Sequence, residues 1–290
     1  MFEEGTSRAA IARPLPARWI HGSESSKHNT DPDLQVFWYD KDTVILRQNK
    51  AVHYEAPFLF LLFGSERAVL LDTGATASPA HFPLRAAVDE LLQSWVSRHP
   101  EVDQFYGLLI LHTHAHGDHT AGDAQFTHRP HTTLVPANKA AAWQYFGLTD
   151  TSDEPRDVDL GGRTLTVLPT PGHDPAAVTF YDPRTGILFT GDTVYRGRLY
   201  INDWPAFSYS IDRLIAFCRS HPVTHVLGCH IEMTIAPGID YPVRTTYQPE
   251  EPPLELTVEH LHLLRSALDA AGLEPVRMVC DEFIIWPTND

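Results

Sequence analysis

The segment Leu111-His112-Thr113-His114-Ala115-His116-Gly117-Asp118-His119-Thr120-Ala121-Gly122 constrains this chain more than any other. It follows an apolar run of strand length, Gly107–Leu111, so a cluster of metal-competent side chains begins where a buried strand ends. His114, His116, Asp118 and His119 form an H-x-H-x-D-H pattern. Packing does not explain four such residues so close together, and a His-rich surface loop rarely follows a buried strand with a carboxylate at a fixed offset. On an extended chain, residues two apart project to the same side, so His114 and His116 can grip one ion. Gly117 permits a sharp turn, after which Asp118 and His119 face another direction. One short segment can thus feed two adjacent metal sites. His112 also alternates with His114, but the Asp-His pair closing the pattern makes His114 the first ligand. His112 is then a packed or supporting residue.

Bulk properties narrow the field. A hydrophobic content of 43% is ordinary for a globular protein. No apolar run approaches the ~20 residues of a membrane span. The opening Met1-Phe-Glu-Glu-Gly has neither the basic nor the apolar region of a secretory signal. Three cysteines, Cys218, Cys229 and Cys280, are an odd number, which suits a reducing compartment better than a disulfide framework. The expected location is therefore the cytoplasm. A net charge of −15 repels polyphosphate, so nucleic acid is a poor partner; a small-molecule substrate and no membrane are expected.

Residues 1–33 are polar and Pro-containing, and read as an arm lying on the domain or on the partner subunit of a homodimer. Residues 34–290 read as one catalytic domain. Strand patterns cover 34–39, 43–47, 58–63, 68–71, 107–111 and 132–135, then 164–168, 177–181, 187–190 and 224–227, with a last strand near 276–285. Helical spacing covers 83–97, 137–146, 210–219 and 256–270. A polar loop runs to Asp157, and a Pro-rich insertion covers 237–253. Two groups of strands with helices between them predict an α/β fold, an αββα sandwich of two mixed sheets flanked by helices.

Further polar residues fall at strand ends beside glycines: Asp72 before Thr73-Gly74, His173 in Thr170-Pro171-Gly172-His173, Asp192 in Gly191-Asp192-Thr193, and His230 in Gly228-Cys229-His230. Each is weak alone; together they look like one sheet edge converging on a site. In order and spacing, the motifs from Asp72 to His230 resemble those of the metallo-β-lactamase fold superfamily of metallohydrolases. The resemblance implies that His114, His116 and His173 bind one metal, that Asp118, His119 and His230 bind another, and that Asp192 bridges them. Asp72 would hold a ligand histidine in place. Imidazole and carboxylate suit zinc, and also iron, manganese or cobalt. Two divalent ions can share a water, lower its pKa from 15.7 toward ~7 and so provide a bridging hydroxide, with Asp192 and Asp118 at the reacting centre.

Aspartate at position 192 and the missing export signal disfavour the β-lactamases themselves, and the acidic charge disfavours the nucleases. Gly191-Asp192-Thr193 resembles the corresponding stretch of glyoxalase II, and Cys229-His230-Ile231-Glu232-Met233-Thr234 loosely resembles another, with one residue inserted and cysteine in place of glycine. Tyr195, three residues after Asp192, matches the place of a tyrosine that supports the substrate carbonyl in quorum-signal lactonases. The resemblance therefore implies hydrolysis of a small ester, lactone or thioester. Tyr200, Trp204 and Phe207 would offer apolar surface nearby, and Arg196 and Arg198 could meet a substrate carboxylate. The arm, the 147–160 loop and the insertion would build the pocket. A mononuclear-iron oxidoreductase similar to persulfide dioxygenases, and a non-catalytic metal-binding module, are the alternatives.

Overall fold

The computed structural model describes residues 10–103, 105–149 and 154–288. Strict side-chain alternation, not amphipathic alternation, builds its sheets. Strand β1 is Leu34–Asp40, β2 Thr43–Gln48, β3 Phe58–Phe63, β4 Arg67–Leu71, β5 Gly107–Leu111 and β6 Thr132–Leu134, and they form one six-stranded sheet in chain order. In β3, Phe58, Phe60 and Leu62 face one hydrophobic core, whereas Leu59, Leu61 and Phe63 face another. Both faces are therefore covered, which is why the strand reads as an unbroken apolar run. Helix α1, Leu84–Ser97, covers the outer face through Leu84, Val88, Leu92 and Trp95.

Two short helices come next, α2 at Gly117–Thr120 and α3 at Lys139–Phe146. The second sheet contains β7 (Arg156–Asp159), β8 (Thr164–Pro169), β9 (Val178–Asp182), β10 (Ile187–Gly191) and, after β11 (Arg198–Ile201) and α4 (Trp204–Cys218), β12 (His225–Gly228). Its order is β12-β10-β9-β8-β7. Phe180, Phe189 and Leu227 face the first sheet, while Tyr181, Leu188 and Val226 face α4 and α5, the latter spanning Val258–Ala271. The layers are thus helix, sheet, sheet, helix, as the sequence predicted.

Three elements differ from the sequence reading. Helix α4 starts at Trp204 rather than Ser210, because the Asp203 side chain caps Ala206 N at 2.9 Å and Pro205 opens the first turn. The polar loop expected to reach Asp157 gives way at Arg156 to β7, an edge strand in which only Val158 is buried. The last strand is two short ones, β13 (Met278–Val279) and β14 (Ile284–Pro287), and with β11 they form a third sheet that the sequence reading did not foresee.

The described part of the arm packs on its own chain: Trp19 is buried edge-on against Phe37 and Phe58. The insertion is pinned to the first sheet by a bidentate pair between Arg47 and Glu251, at 2.5 and 2.6 Å, both nearly free of solvent. No helix among the described residues is long and apolar enough to cross a membrane.

Candidate metal centre

Strands β4 and β5 run parallel, as do β10 and β12, so their C-terminal ends open on a common edge. Asp72 follows β4, the segment 112–119 follows β5, His173 follows β8, Asp192 follows β10 and His230 follows β12. Main-chain bonds lock the two sheets together there, from Val178 N to Thr113 O and from Phe58 N to Cys229 O, each 2.8 Å. Two glycines are required by this closeness. A Cβ at Gly191, whose φ is +54°, would meet the Thr113 Cβ at 2.6 Å, and one at Gly172 would meet the Phe207 backbone at 2.4 Å. Gly117 is different. It opens α2 with nothing near its absent Cβ, so the turn that redirects Asp118 and His119 is an ordinary helical turn rather than a glycine kink.

All seven residues singled out from the sequence as metal ligands come together, as two neighbouring groups. In the first, the His116 Nδ1 lies 3.2 Å from His114 Nε2 and 3.0 Å from His173 Nε2. In the second, His230 Nε2 lies 3.3 Å from His119 Nε2 and 3.3 Å from Asp118 Oδ2. Asp192 stands between them: its Oδ2 is 3.9 Å from His114 and 3.8 Å from His173, and its Oδ1 is 3.5 Å from His119 and 3.4 Å from His230. Ligands of a tetrahedral ion with metal–nitrogen bonds near 2.0–2.1 Å sit ~3.3 Å apart, close to the spacing of these nitrogens.

The donor set fits a cation on a second count. The far nitrogens of the rings are held: His119 Nδ1 by Asp72 Oδ2 at 2.9 Å, His173 Nδ1 by Tyr200 O at 2.8 Å, and His230 Nδ1 by Glu55 O at 3.0 Å. Carbonyls and carboxylates only accept, so these Nδ1 atoms carry hydrogens and each Nε2 is the nitrogen turned to the site, free to give its lone pair to an ion once unprotonated. The Nε2 atoms of His119 and His230 thus face each other and two carboxylates. Asp192 Oδ1 is buried and accepts no hydrogen bond. Burial works against charge on His230, yet Asp192 and then Asp118 outweigh it and carry the imidazole up to about 9. His119 rises well above its ordinary value for a similar reason, burial being outweighed by Asp192, Asp118 and Asp72. In the other group, burial dominates and pushes His114 and His173 down. A positive charge is wanted at the carboxylate-rich end, and a divalent ion would supply it.

Asp72 lies behind the candidate ligands. Fully buried and with φ at +65°, it accepts Thr113 N and the Thr113 hydroxyl at 2.8 Å each, besides His119. Cys229 Sγ approaches the same oxygen at 3.5 Å. Asp72, His119 and Cys229 therefore form a hydrogen-bonded cluster behind the site. His112 lies outside both groups, bonded to Asp123 at 2.9 Å and Val135 O at 3.2 Å.

The site opens into a pocket of about 360 Å³. Its walls come from the 50–55 loop, from Tyr200 and Asn202, from Pro242–Thr245 and Gln248 of the insertion, and from Thr288. The insertion was expected here; the arm and the 147–160 loop were also expected, and among their described residues neither lines the pocket. Tyr195 lies on the wall, but its hydroxyl donates to Arg198 O and lies 3.2 Å from Glu232 Oε2, so the free donor the sequence suggested is committed within the protein. Trp204 and Phe207 are in the second core beneath α4 rather than in the pocket. Arg198 is held by Glu232 at 2.6 Å and Asp240 at 2.7 Å, and Arg196 pairs with Glu282, so neither is a free clamp for a substrate. Glu55, Glu232 and Lys50 were missed. Glu55 acts through its main-chain carbonyl, which no sequence pattern marks.

Residues 56–280 match the family described as the metallo-beta-lactamase superfamily, and the chain belongs to it. A hydroxyacylglutathione hydrolase of Rhizobium meliloti is 32% identical over 168 residues, covering 54% of this chain and 60% of its own. An acyl-coenzyme A thioesterase of Gallus gallus is 28% identical over 213 residues, covering 60% of this chain and 72% of its own. The chain thus spans about 60% of the length of such a relative. Among solved structures, a mono-zinc metallo-beta-lactamase from Pseudomonas aeruginosa superposes with a TM-score of 0.54 at 15% identity, over 85% of this chain and 99% of the other. At that identity the likeness is one of fold.

Proposed function

We propose that the protein is a metal-dependent hydrolase of a small acyl compound, a thioester before an ester or lactone, working with two divalent ions, zinc in the first instance. The observation that carries this is Asp192, whose two oxygens face two separate histidine groups. His114, His116 and His173 would hold one ion, and Asp118, His119 and His230 the other. Bound there, such ions supply Lewis acidity toward a carbonyl oxygen and hydroxide at neutral pH.

The chain's own residues supply the rest. Asp72, Tyr200 O and Glu55 O hold a hydrogen on Nδ1 of three rings, so Nε2 is the nitrogen turned to the site, where an ion would displace the proton that His119 and His230 otherwise carry. Asp192 and Asp118 are kept ionised, burial notwithstanding, chiefly by His230 and His119 respectively. Held as a carboxylate, Asp192 keeps negative charge between the two histidine groups, where it would help hold both ions. Two relatives named hydroxyacylglutathione hydrolase and acyl-coenzyme A thioesterase support thioesters ahead of lactones. Glyoxalase II-like and lactonase-like substrates are separated by assay: metal-loaded protein is tested on thioesters, aryl esters, lactones and β-lactams. Turnover of thioesters that disappears on chelation is expected. Thioester turnover absent from protein of proven metal content would overturn the reading, and one iron per chain would point to the oxidoreductase instead.

A further inference from the structure

Two polar side chains on the pocket wall are left short of partners. Lys50, just after β2, is 2% exposed. Its ammonium carries three donors, and the fold uses one, to Tyr54 O at 3.0 Å. Among the described residues it forms no ion pair, because the nearby Glu251 is taken bidentately by Arg47. Gln248 is 3% exposed, and its side-chain oxygen is buried without a hydrogen bond. The amide can be placed either way round, so the orphan is one end of an amide that presents a donor or an acceptor.

Both lie around the same turn of the arm, at His21 and Gly22. Gly22 packs against the Lys50 Cβ and the Thr246 carbonyl and bridges to Tyr247, and Gln248 N bonds to His21 O at 2.8 Å. Both line the same pocket as His116, Asp118, Asp192 and His230. A buried ammonium with one partner is costly, and a bound carboxylate would relieve that cost. Glu251, Glu232 and Glu55 attract the ammonium at longer range, but among the described residues none forms an ion pair with it. Glu232 is bound to Arg198, and Glu55 stands beside Tyr54 with no ion pair to Lys50.

Resting on the hydrolase reading above, we propose that Lys50 and Gln248 form a subsite for a carboxylate that the substrate carries away from its scissile bond, so that anionic acyl compounds are preferred to neutral ones. Lys50 donates to the carboxylate, Gln248 bonds beside it, and Arg244 at the mouth adds attraction. Two residues far apart in sequence, at the end of β2 and in the Pro-rich insertion, thus set specificity.

The test uses matched thioesters and metal-loaded protein. One pair carries the charge on the thiol, S-acetyl-3-mercaptopropionate and its methyl ester. The other carries it on the acyl part, a succinic monothioester of methanethiol and its methyl ester. The wild-type protein is expected to prefer the acid in one pair by about tenfold or more in kcat/KM, the scale of one charge-assisted hydrogen bond. Lys50→Met should erase that preference through KM, leaving kcat and the methyl ester unchanged, and Lys50→Arg should restore part of it. Glutarate binding to metal-free protein, read by calorimetry against neutral glutaramide, should weaken in Lys50→Met. Gln248→Leu gives the same test should Lys50→Met fail to fold. Equal preference in wild type and variants, with unaltered glutarate binding, overturns the subsite while leaving the hydrolase reading intact. No turnover of any thioester, with glutarate binding still lost in Lys50→Met, overturns the hydrolase reading and leaves the subsite standing.

Discussion

Asp72→Asn separates holding a ligand from being one. Asp72 touches no ion site directly; its Oδ1 accepts Thr113 N and its Oδ2 accepts the Thr113 hydroxyl and His119 Nδ1–H. Asparagine keeps the first bond, and it tolerates the left-handed backbone at φ +65°. It places an NH2 where Oδ2 was. The Thr113 hydroxyl can turn to accept from that group, but His119 Nδ1–H cannot, so the ring must shift its hydrogen to Nε2. That atom then presents a hydrogen to the site instead of a lone pair. Loss of such a supporting acceptor typically lowers metal affinity about 10–100-fold, or roughly 1.4–2.7 kcal/mol. The effect should fall on the site of Asp118, His119 and His230 and spare that of His114, His116 and His173. Chelator-competition titration with zinc should show two binding events in the wild type, of which one weakens by that factor while circular dichroism stays unchanged. Equal affinities in variant and wild type would refute the argument that Asp72 fixes the His119 tautomer.

Other expectations follow from the same geometry. Asp192→Ala should abolish turnover and cost at least one ion per chain by elemental analysis; full metal content would mean Asp192 does not lie between the ions. Tyr195→Phe should lower stability by about 1 kcal/mol, the worth of its buried hydrogen bond, and change kcat little, since its hydroxyl is spent on Arg198 O and Glu232. A drop of 10²–10³, the size typical of a lost oxyanion donor, would restore it as a donor to the substrate. Metal-free protein should lose stability as pH rises from 6.5 toward 8. His230 is raised from 6.5 to about 9 and His119 also upward, so their contribution is complete below 6.5 and wanes as pH climbs toward the folded values. Denaturant melts in chelator should show this slope, and metal-loaded protein should lack it.

The sandwich and the convergence of the seven candidate ligands were legible because both are written locally. Unbroken apolar runs such as Phe58–Phe63 mark strands covered on both faces, and the ligand candidates fall in the short segments just after strand ends, His116, Asp118, His173 and Asp192 directly beside a glycine. What escaped depends on distant partners. Strand β11 exists only because β14 returns beside it, and β7 is recognisable only as the edge partner of β8. Tyr195 was misjudged because position along the chain fixes where the ring lies, whereas its hydroxyl follows Arg198 and Glu232. The arginines at 196 and 198 look free in sequence; Glu282, Glu232 and Asp240 claim them from far downstream. Lys50 carried no signal at all, since an isolated lysine is normally solvated and nothing local marks the burial of this one, with Gly22 of the arm packed on its Cβ.

The central claim is that Asp192 lies between two ions. Anomalous diffraction from crystals of zinc-loaded protein, measured on both sides of the zinc edge, addresses it directly. The account predicts two peaks per chain roughly 3.5–4 Å apart, one among His114, His116 and His173, the other among Asp118, His119 and His230, with an oxygen of Asp192 toward each. A single peak, or a second one away from Asp192, would contradict it.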